Sequence, residues 1–349
     1  MLAKPRAVKK GFPNMRFLFF TDTHIRGTGP QSRTDNFYET LREKIREVVS
    51  IANSENVDAV LHGGDIFDRP DVSPSLVRDF VVLINDLKPP LYAIAGNHDI
   101  YGQNPTTINR TMLGVLDSAG VIKLINPGEK IFFDDGEIKI QLTGQHFFYG
   151  IDSENKKSAY CIKKDENVDF AIHMVHGMLL DKPFIPGIFH TLIEDILETE
   201  ADVTLCGHYH TGFGVVKLEN RYFINPGSLA RIDATLSELT RIPAVILLDV
   251  RKDGIGVKKR TLKCARPGSE VFDRKKIEEN SFREKKLAEF VQVINSTGEY
   301  NFTNITDIVE QLAKKQNMDN RIVEEALHRI GKAQEILSQK EGSEFYEVS

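Results

Sequence analysis

Five short pieces of this 349-residue chain close predicted strands with side chains that bind metal: Asp22-Thr23-His24, Gly64-Asp65, Gly96-Asn97-His98-Asp99, His176-Gly177 and Gly207-His208-Tyr209-His210. Each is weak alone. Together they offer enough oxygen and imidazole nitrogen donors for two adjacent divalent cations, with one histidine to spare. Two such cations about 4 Å apart clamp a phosphate, orient it and make hydroxide from water at neutral pH. The chemistry indicated is hydrolysis of a phosphate ester.

A centre of this kind needs one carboxylate that reaches both ions, flanked by neutral histidines and further oxygen donors. Asp22 and His24 lie two apart after the first predicted strand, a spacing that in extended backbone sends both side chains the same way. His208 and His210 repeat it. Asp65 follows two glycines, which leaves its carboxylate room in a crowded site. Asn97 offers an amide oxygen, and His98, next in sequence, then points elsewhere in the cleft.

The elements that must position these groups are legible in the apolar pattern. Residues 15–21 form a run too short for a helix and apolar enough for a strand buried on both faces. Residues 36–52 carry helical spacing, 57–61 a strand, 73–87 a second helix opened by Ser73-Pro74, and 91–95 a third strand. That alternation predicts a largely parallel sheet covered by helices. After residue 120 strands dominate, at 131–133, 138–142, 170–175, 203–206, 214–218, 222–224, 244–250 and 255–262. The expected architecture is α/β, a four-layer αββα sandwich of two packed mixed sheets between helices. It occupies 15–265, preceded by a basic arm over 1–14. A boundary at Arg266-Pro267-Gly268-Ser269 leads to a charged, helical C-terminal region over 270–349, in which 319–337 places apolar residues on one stripe.

Composition narrows the class. An apolar content of 41% is that of a soluble globular protein, and no run approaches membrane-spanning length. The basic N-terminus lacks the apolar stretch of a secretory signal. Three widely spaced cysteines imply neither a disulfide framework nor a zinc knuckle, so a reducing cytoplasm is the expected location. The net charge of −5 argues against a chain basic all over but leaves room for a local basic surface. Basic clusters at 156–157, 163–164 and 258–286 read as solvated faces. His62, His146, His173, His190 and His328 read as packed or surface histidines, the first three lying closest to ligand-bearing strands.

The five motifs resemble, in order and spacing, the calcineurin-like metallophosphoesterase superfamily, and the likeness extends from Met15 to about Leu262 through the Asn225-Pro226-Gly227-Ser228 turn. The resemblance implies that Asp22, His24, Asp65 and His210 hold one metal and that Asp65, Asn97, His176 and His208 hold the other, with Asp65 bridging. It implies that His98 serves the leaving oxygen and that Asp68 orients His98 by accepting its second N–H. Gly-Asp-x-x-Asp-Arg at 64–69 is also similar to protein serine/threonine phosphatases, where the arginine contacts phosphate. Pro70 departs from their pattern, so Arg69 is open between a phosphate contact and a salt bridge.

Within the superfamily the chain is most similar to repair nucleases of the SbcD type, through residues 20–24, 63–68, 95–99 and 225–231. That likeness implies a DNA exo- or endonuclease acting in repair or recombination, with manganese the expected metal and magnesium, iron or zinc as alternatives. It implies an SMC-like ATPase partner held through 270–349, and a homodimer contact on the helices in 73–87 and 106–118. Two other readings stand beside it: a phosphomonoesterase or cyclic-nucleotide phosphodiesterase with a small substrate, and an adaptor module for the ATPase on an idle scaffold.

Overall fold

The computed structural model describes residues 14–273, apart from 185–187 and 233, together with the single positions 275, 278, 282, 322 and 325. The basic arm and nearly all of the helical region expected over 270–349, including the stripe at 319–337 and His328, lie outside the described residues.

The first strand shows why the fold is layered. In β1 (Asn14–Phe20) side chains alternate between faces, and both faces are covered. Leu18 and Phe20 pack under helices, whereas Met15, Phe17 and Phe19 meet the second sheet. β1 pairs in parallel with β2 (Ala59–His62), which is followed by β3 (Leu91–Ala93) and β4 (Lys123–Leu124). The second sheet begins with β5 (Lys130–Asp134), β6 (Lys139–Gln145) and β7 (Phe170–Gly177). After a two-rung pair, β8 (Leu179–Leu180) and β9 (Thr191–Leu192), it continues with β10 (Val203–His208), β11 (Gly214–Leu218) and β12 (Arg221–Asn225). The hairpin β13 (Ala244–Arg251) and β14 (Gly254–Thr261) returns to the first sheet. The orders are β14-β13-β1-β2-β3-β4 and β11-β12-β10-β7-β6-β5.

The second sheet therefore has a parallel centre and two antiparallel borders, whereas the first is antiparallel only at its β13–β14 side and ends in parallel at β4. The layer between them is apolar: Phe17, Phe19, Leu61 and Ile94 from one side meet Leu142, Ile172, Met174 and Leu205 from the other. Truncating a phenylalanine in such a layer costs about 3–5 kcal/mol.

Helix α1 (Phe37–Ser54) is capped by Asn36, whose side chain accepts the Glu39 N–H, and it buries Phe37, Leu41, Ile45 and Val48. Lys44 lies on the same buried face; its Nζ donates to the Leu229 carbonyl at 2.8 Å, and burial pushes its pKa well down. Helix α2 (Pro74–Ile84) starts with Pro74 in its first turn after Ser73, although the Ser73 side chain makes no capping bond. The basic residues at 156–164 face acids: Lys156, Lys157, Lys163 and Lys164 pair with Asp195, Glu198, Glu200 and Asp202. Exposed pairs of this kind contribute about 0–1 kcal/mol each. No helix among the described residues is long and apolar enough to cross a membrane.

Candidate metal centre

The parallel strands of both sheets point their C-terminal ends at one edge, where loops converge on a shared cleft. β1 delivers Asp22 and His24 there, β2 delivers Asp65, β3 delivers Asn97 and His98, β7 delivers His176, and β10 delivers His208 and His210.

Asp22, His24, Asp65 and His210 form one cluster of donor atoms; Asp65, His176 and His208 form a second. In the first, His24 Nε2 lies 2.9 Å from His210 Nε2, 3.8 Å from Asp22 Oδ1 and 3.6 Å from Asp65 Oδ2. His210 Nε2 is 3.6 Å from Asp22 Oδ1. In the second, His176 Nε2 is 3.3 Å from the same Asp65 oxygen, and Asn97 Oδ1 stands 3.2 Å from His176 Nε2 and 2.9 Å from His208 Nδ1. Donors bonded to one cation at 2.0–2.2 Å stand roughly 3–3.6 Å apart. Both clusters are close to that spacing, and Asp65 is the carboxylate they share.

Convergence has a different cause from strand alternation. Asp22, His24, Asp65 and His208 all have left-handed backbone, with φ of 53°, 42°, 53° and 75°. Side chains two apart meet because the chain coils as it leaves the strand, not because it stays extended. Non-glycine residues adopt this region at a cost of about 1–3 kcal/mol and keep it where the surroundings over-determine it. Those surroundings are visible. Asp22 Oδ2 accepts from Thr21 Oγ1 at 2.6 Å, and the His208 N–H donates to the Asp22 carboxylate at 3.2 Å. Asp65 Oδ1 accepts the His98 N–H at 2.8 Å, which turns Oδ2 toward the histidines. Gly96 must be glycine, because a Cβ there would fall on the Asp65 carboxylate.

The electrostatics fit cations. Asp22 and Asp65 are buried, which by itself would raise their pKa values. The His24 hydrogen bond and the His176 and His210 charges hold Asp22 below the usual carboxylate range, and His176 and His98 do the same for Asp65. Burial would likewise lower His176, but Asp65 outweighs it and carries the imidazole up to about 9. The Nδ1–H of His176 is committed to the Gly63 carbonyl at 2.7 Å, which leaves Nε2 as the donor toward Asp65 and Asn97. Two ionised carboxylates and four inward histidines make a hard-oxygen and imidazole set suited to divalent first-row metals.

One expected pairing is placed differently. The His98 ring donates not to the Asp68 carboxylate but to its main-chain carbonyl, at 2.8 Å from Nδ1. The Asp68 carboxylate turns instead to Arg26, 3.2 Å away, and lies 3.9 Å from His24 Nδ1, a buried nitrogen with no hydrogen-bond partner. Once His24 binds a cation through Nε2, Nδ1 must carry its hydrogen, and Asp68 Oδ1 is the acceptor at hand. Asp68→Asn is accordingly expected to weaken metal binding by about 10–100-fold in calorimetric titration. Unchanged affinity would remove Asp68 from this role. Arg69 is exposed and pairs with Asp71 at 3.3 Å, the salt-bridge alternative.

Several supporting residues escaped the sequence. Asp99 accepts three backbone N–H groups, from Gly96, Ile66 and Phe67, and so ties the β2 and β3 loops together. Burial and the nearby Asp65 push its pKa up to about 6. It stands inside the Gly96–Asp99 motif, which was the one available signal. Asp152, also buried, accepts from Tyr160, Thr191 and the Met178 N–H and anchors the chain just after His176.

His62, His146 and His173 serve the scaffold. His62 bonds Thr23 and the Gly64 N–H, His146 accepts from the Ala95 N–H, and His173 sits between Thr143 and the Ala159 carbonyl. Burial lowers them to about 3, 4 and 4. A histidine neutral when folded and protonated when unfolded contributes stability that is complete above pH ~6.5 and is lost as pH falls toward the folded value. The urea midpoint of the chelated protein should therefore drop steeply between about pH 6.5 and 4. Imidazole NMR checks the cause: three rings titrating normally near pH 6.5 would refute it.

The fold and this centre define a calcineurin-like phosphoesterase, and the chain belongs to that family: its family model matches residues 15–212. Among curated relatives, the chain is 27% identical to the uncharacterized metallophosphoesterase YhaO of Bacillus subtilis, over 54% of this chain and 45% of that protein. It is 25% identical to the DNA double-strand break repair protein Mre11 of Methanosarcina mazei, over 71% of this chain and 38% of the relative. With the Mre11 of Thermoplasma acidophilum it shares 32% identity, over 55% and 51%. The chain thus spans about half the length of these relatives, or less.

Proposed function

We propose that this chain is a two-metal phosphodiesterase that cuts DNA, in repair or recombination, with manganese as its working metal. The observation that carries the reading is the pair of donor clusters sharing Asp65, with the exposed His98 ring 4.8 Å from the His24 ring. When bound, the two cations neutralise phosphate charge and make hydroxide available at neutral pH. The protein's own residues then do the rest. Asp65 and Asn97 orient the histidines, and Asp22 is held ionised for its cation. His98 keeps a hydrogen on Nδ1 against the Asp68 carbonyl, so Nε2 is the nitrogen left to take up a proton and pass it to the departing sugar oxygen.

DNA as the substrate is supported by the relatives named as DNA double-strand break repair proteins. An SMC-like ATPase gripped by 270–349, a homodimer and a cytoplasmic location complete the reading. The test is cleavage of end-labelled linear duplex DNA by the purified chain with manganese, abolished by a chelator. Strong turnover of small phosphomonoesters without any cut in DNA would replace this proposal by the small-substrate one.

A further inference from the structure

We infer that Tyr149 and Tyr101 form a stacking platform at the mouth of the metal centre, which takes the face of an unpaired nucleobase. This rests on the phosphodiesterase reading and narrows its substrate to a strand that is unpaired beside the phosphate being cut.

Tyr149 is 79% exposed, the most of any large apolar side chain among the described residues, and Tyr101 is 40% exposed. A single exposed ring is ordinary. These two come from separate loops that are fastened to each other and to the ligand-bearing strand ends. The Tyr149 N–H donates to the Gln103 carbonyl at 3.1 Å. Gln103 is left-handed, with φ of 56°, as is Gly102 before it. A non-glycine residue held there marks a backbone fixed by its surroundings.

Each loop is anchored at the site. Tyr101 lies three residues beyond His98, and its N–H donates to Thr107 Oγ1 at 2.9 Å. In the other loop, the Phe147 N–H donates to the Ala95 carbonyl at 2.9 Å, and the Phe147 ring packs 5.4 Å from that of His208. Tyr149 follows two residues later. Burial thus falls from Phe147, at 9% exposure, to Tyr149 within a single short segment that starts against a candidate ligand.

An exposed ring on a pinned backbone gives up little entropy when it binds. Every base has a π-face, so such a ring accepts any base without reading sequence. Both faces of a base inside a duplex are already stacked, so the occupant is a base freed from pairing, in a single strand or at the frayed end of a duplex. Stacking adds no counterion release, so this contribution to binding is independent of salt, unlike the phosphate contacts.

The test uses the full chain in chelator and single-stranded oligonucleotides carrying 2-aminopurine at successive positions. One position should be quenched on binding. Tyr149→Ala should raise Kd about tenfold, with the slope of log Kd against log salt unchanged. Tyr149→Phe should keep both the quenching and the affinity, which separates stacking from a role of the hydroxyl. No quenched position, or equal Kd for wild type and Tyr149→Ala, overturns the platform. Failure of the wild type to cut DNA with manganese overturns the phosphodiesterase reading instead, whatever the fluorescence shows.

Discussion

Asp65→Asn is expected to remove hydrolysis, lowering turnover of a simple phosphodiester by about 10³-fold or more, and to leave fewer than two metals per chain. The change keeps the size of the side chain and one carbonyl-type oxygen. What it deletes is the charge, at the one carboxylate common to both clusters. Oδ2 lies 3.6 Å from His24 Nε2 and 3.3 Å from His176 Nε2, so no other side chain can take its place between them. The same charge carries His176 up to about 9, against the opposing pull of burial. In the metal-free protein that pairing stabilises the fold fully below pH ~6.5 and is lost as pH rises through about 9, because the folded value is the raised one. The variant should lack that alkaline loss. Elemental analysis, a phosphodiester assay and urea melts at two pH values check all three results. Two tightly held metals with near-normal turnover in the variant would show that Asp65 is not the bridge.

The second large effect is expected at His98. His98→Ala should slow the same reaction by about 10²–10⁴-fold while two metals remain bound. The reasoning is local. The backbone N–H of residue 98, which fixes Asp65 Oδ1 at 2.8 Å, survives the substitution. Only the ring is lost, together with its bond to the Asp68 carbonyl. The side chain is exposed, so stability should stay within about 0.5 kcal/mol. Loss of rate without loss of metal is the signature of a group that handles a proton. Loss of both together would make His98 a positioning element of the metal centre.

Much of the fold is legible in the sequence. The apolar run of β1 announces a strand buried on both faces, and the spacing over 36–52 announces the helix that follows. Motifs at strand ends announce their own convergence, because parallel strands open at one edge. What the pattern conceals is how the chain turns after the strand. The left-handed backbone at Asp22, His24, Asp65 and His208 has no signature in residue type, since aspartate and histidine do not require it. It follows from contacts such as Asp22 with the His208 N–H, which join residues 186 positions apart. Asp68 misled for a related reason. Sequence shows that a carboxylate is near His98 but not that Arg26 competes for it, nor that a main-chain carbonyl satisfies the ring. Asp152 is invisible for want of any motif, although Tyr160, Met178 and Thr191 all depend on it.

Beyond Thr261 the chain does not leave the body at once. Residues 271–273 come back to lie against 32–34: the Thr34 N–H donates to the Val271 carbonyl, and the Asp273 N–H to that of Ser32. Val271 and Phe272 are buried, and the Phe272 ring lies beneath the guanidinium groups of Arg33 and Arg231. For anyone dividing this protein into working pieces, the boundary expected at 265 leaves these contacts on its far side. A fragment ending there would uncover Ala234 and Leu239 and strip the cover from two arginines, whereas one ending after Asp273 keeps that seal closed.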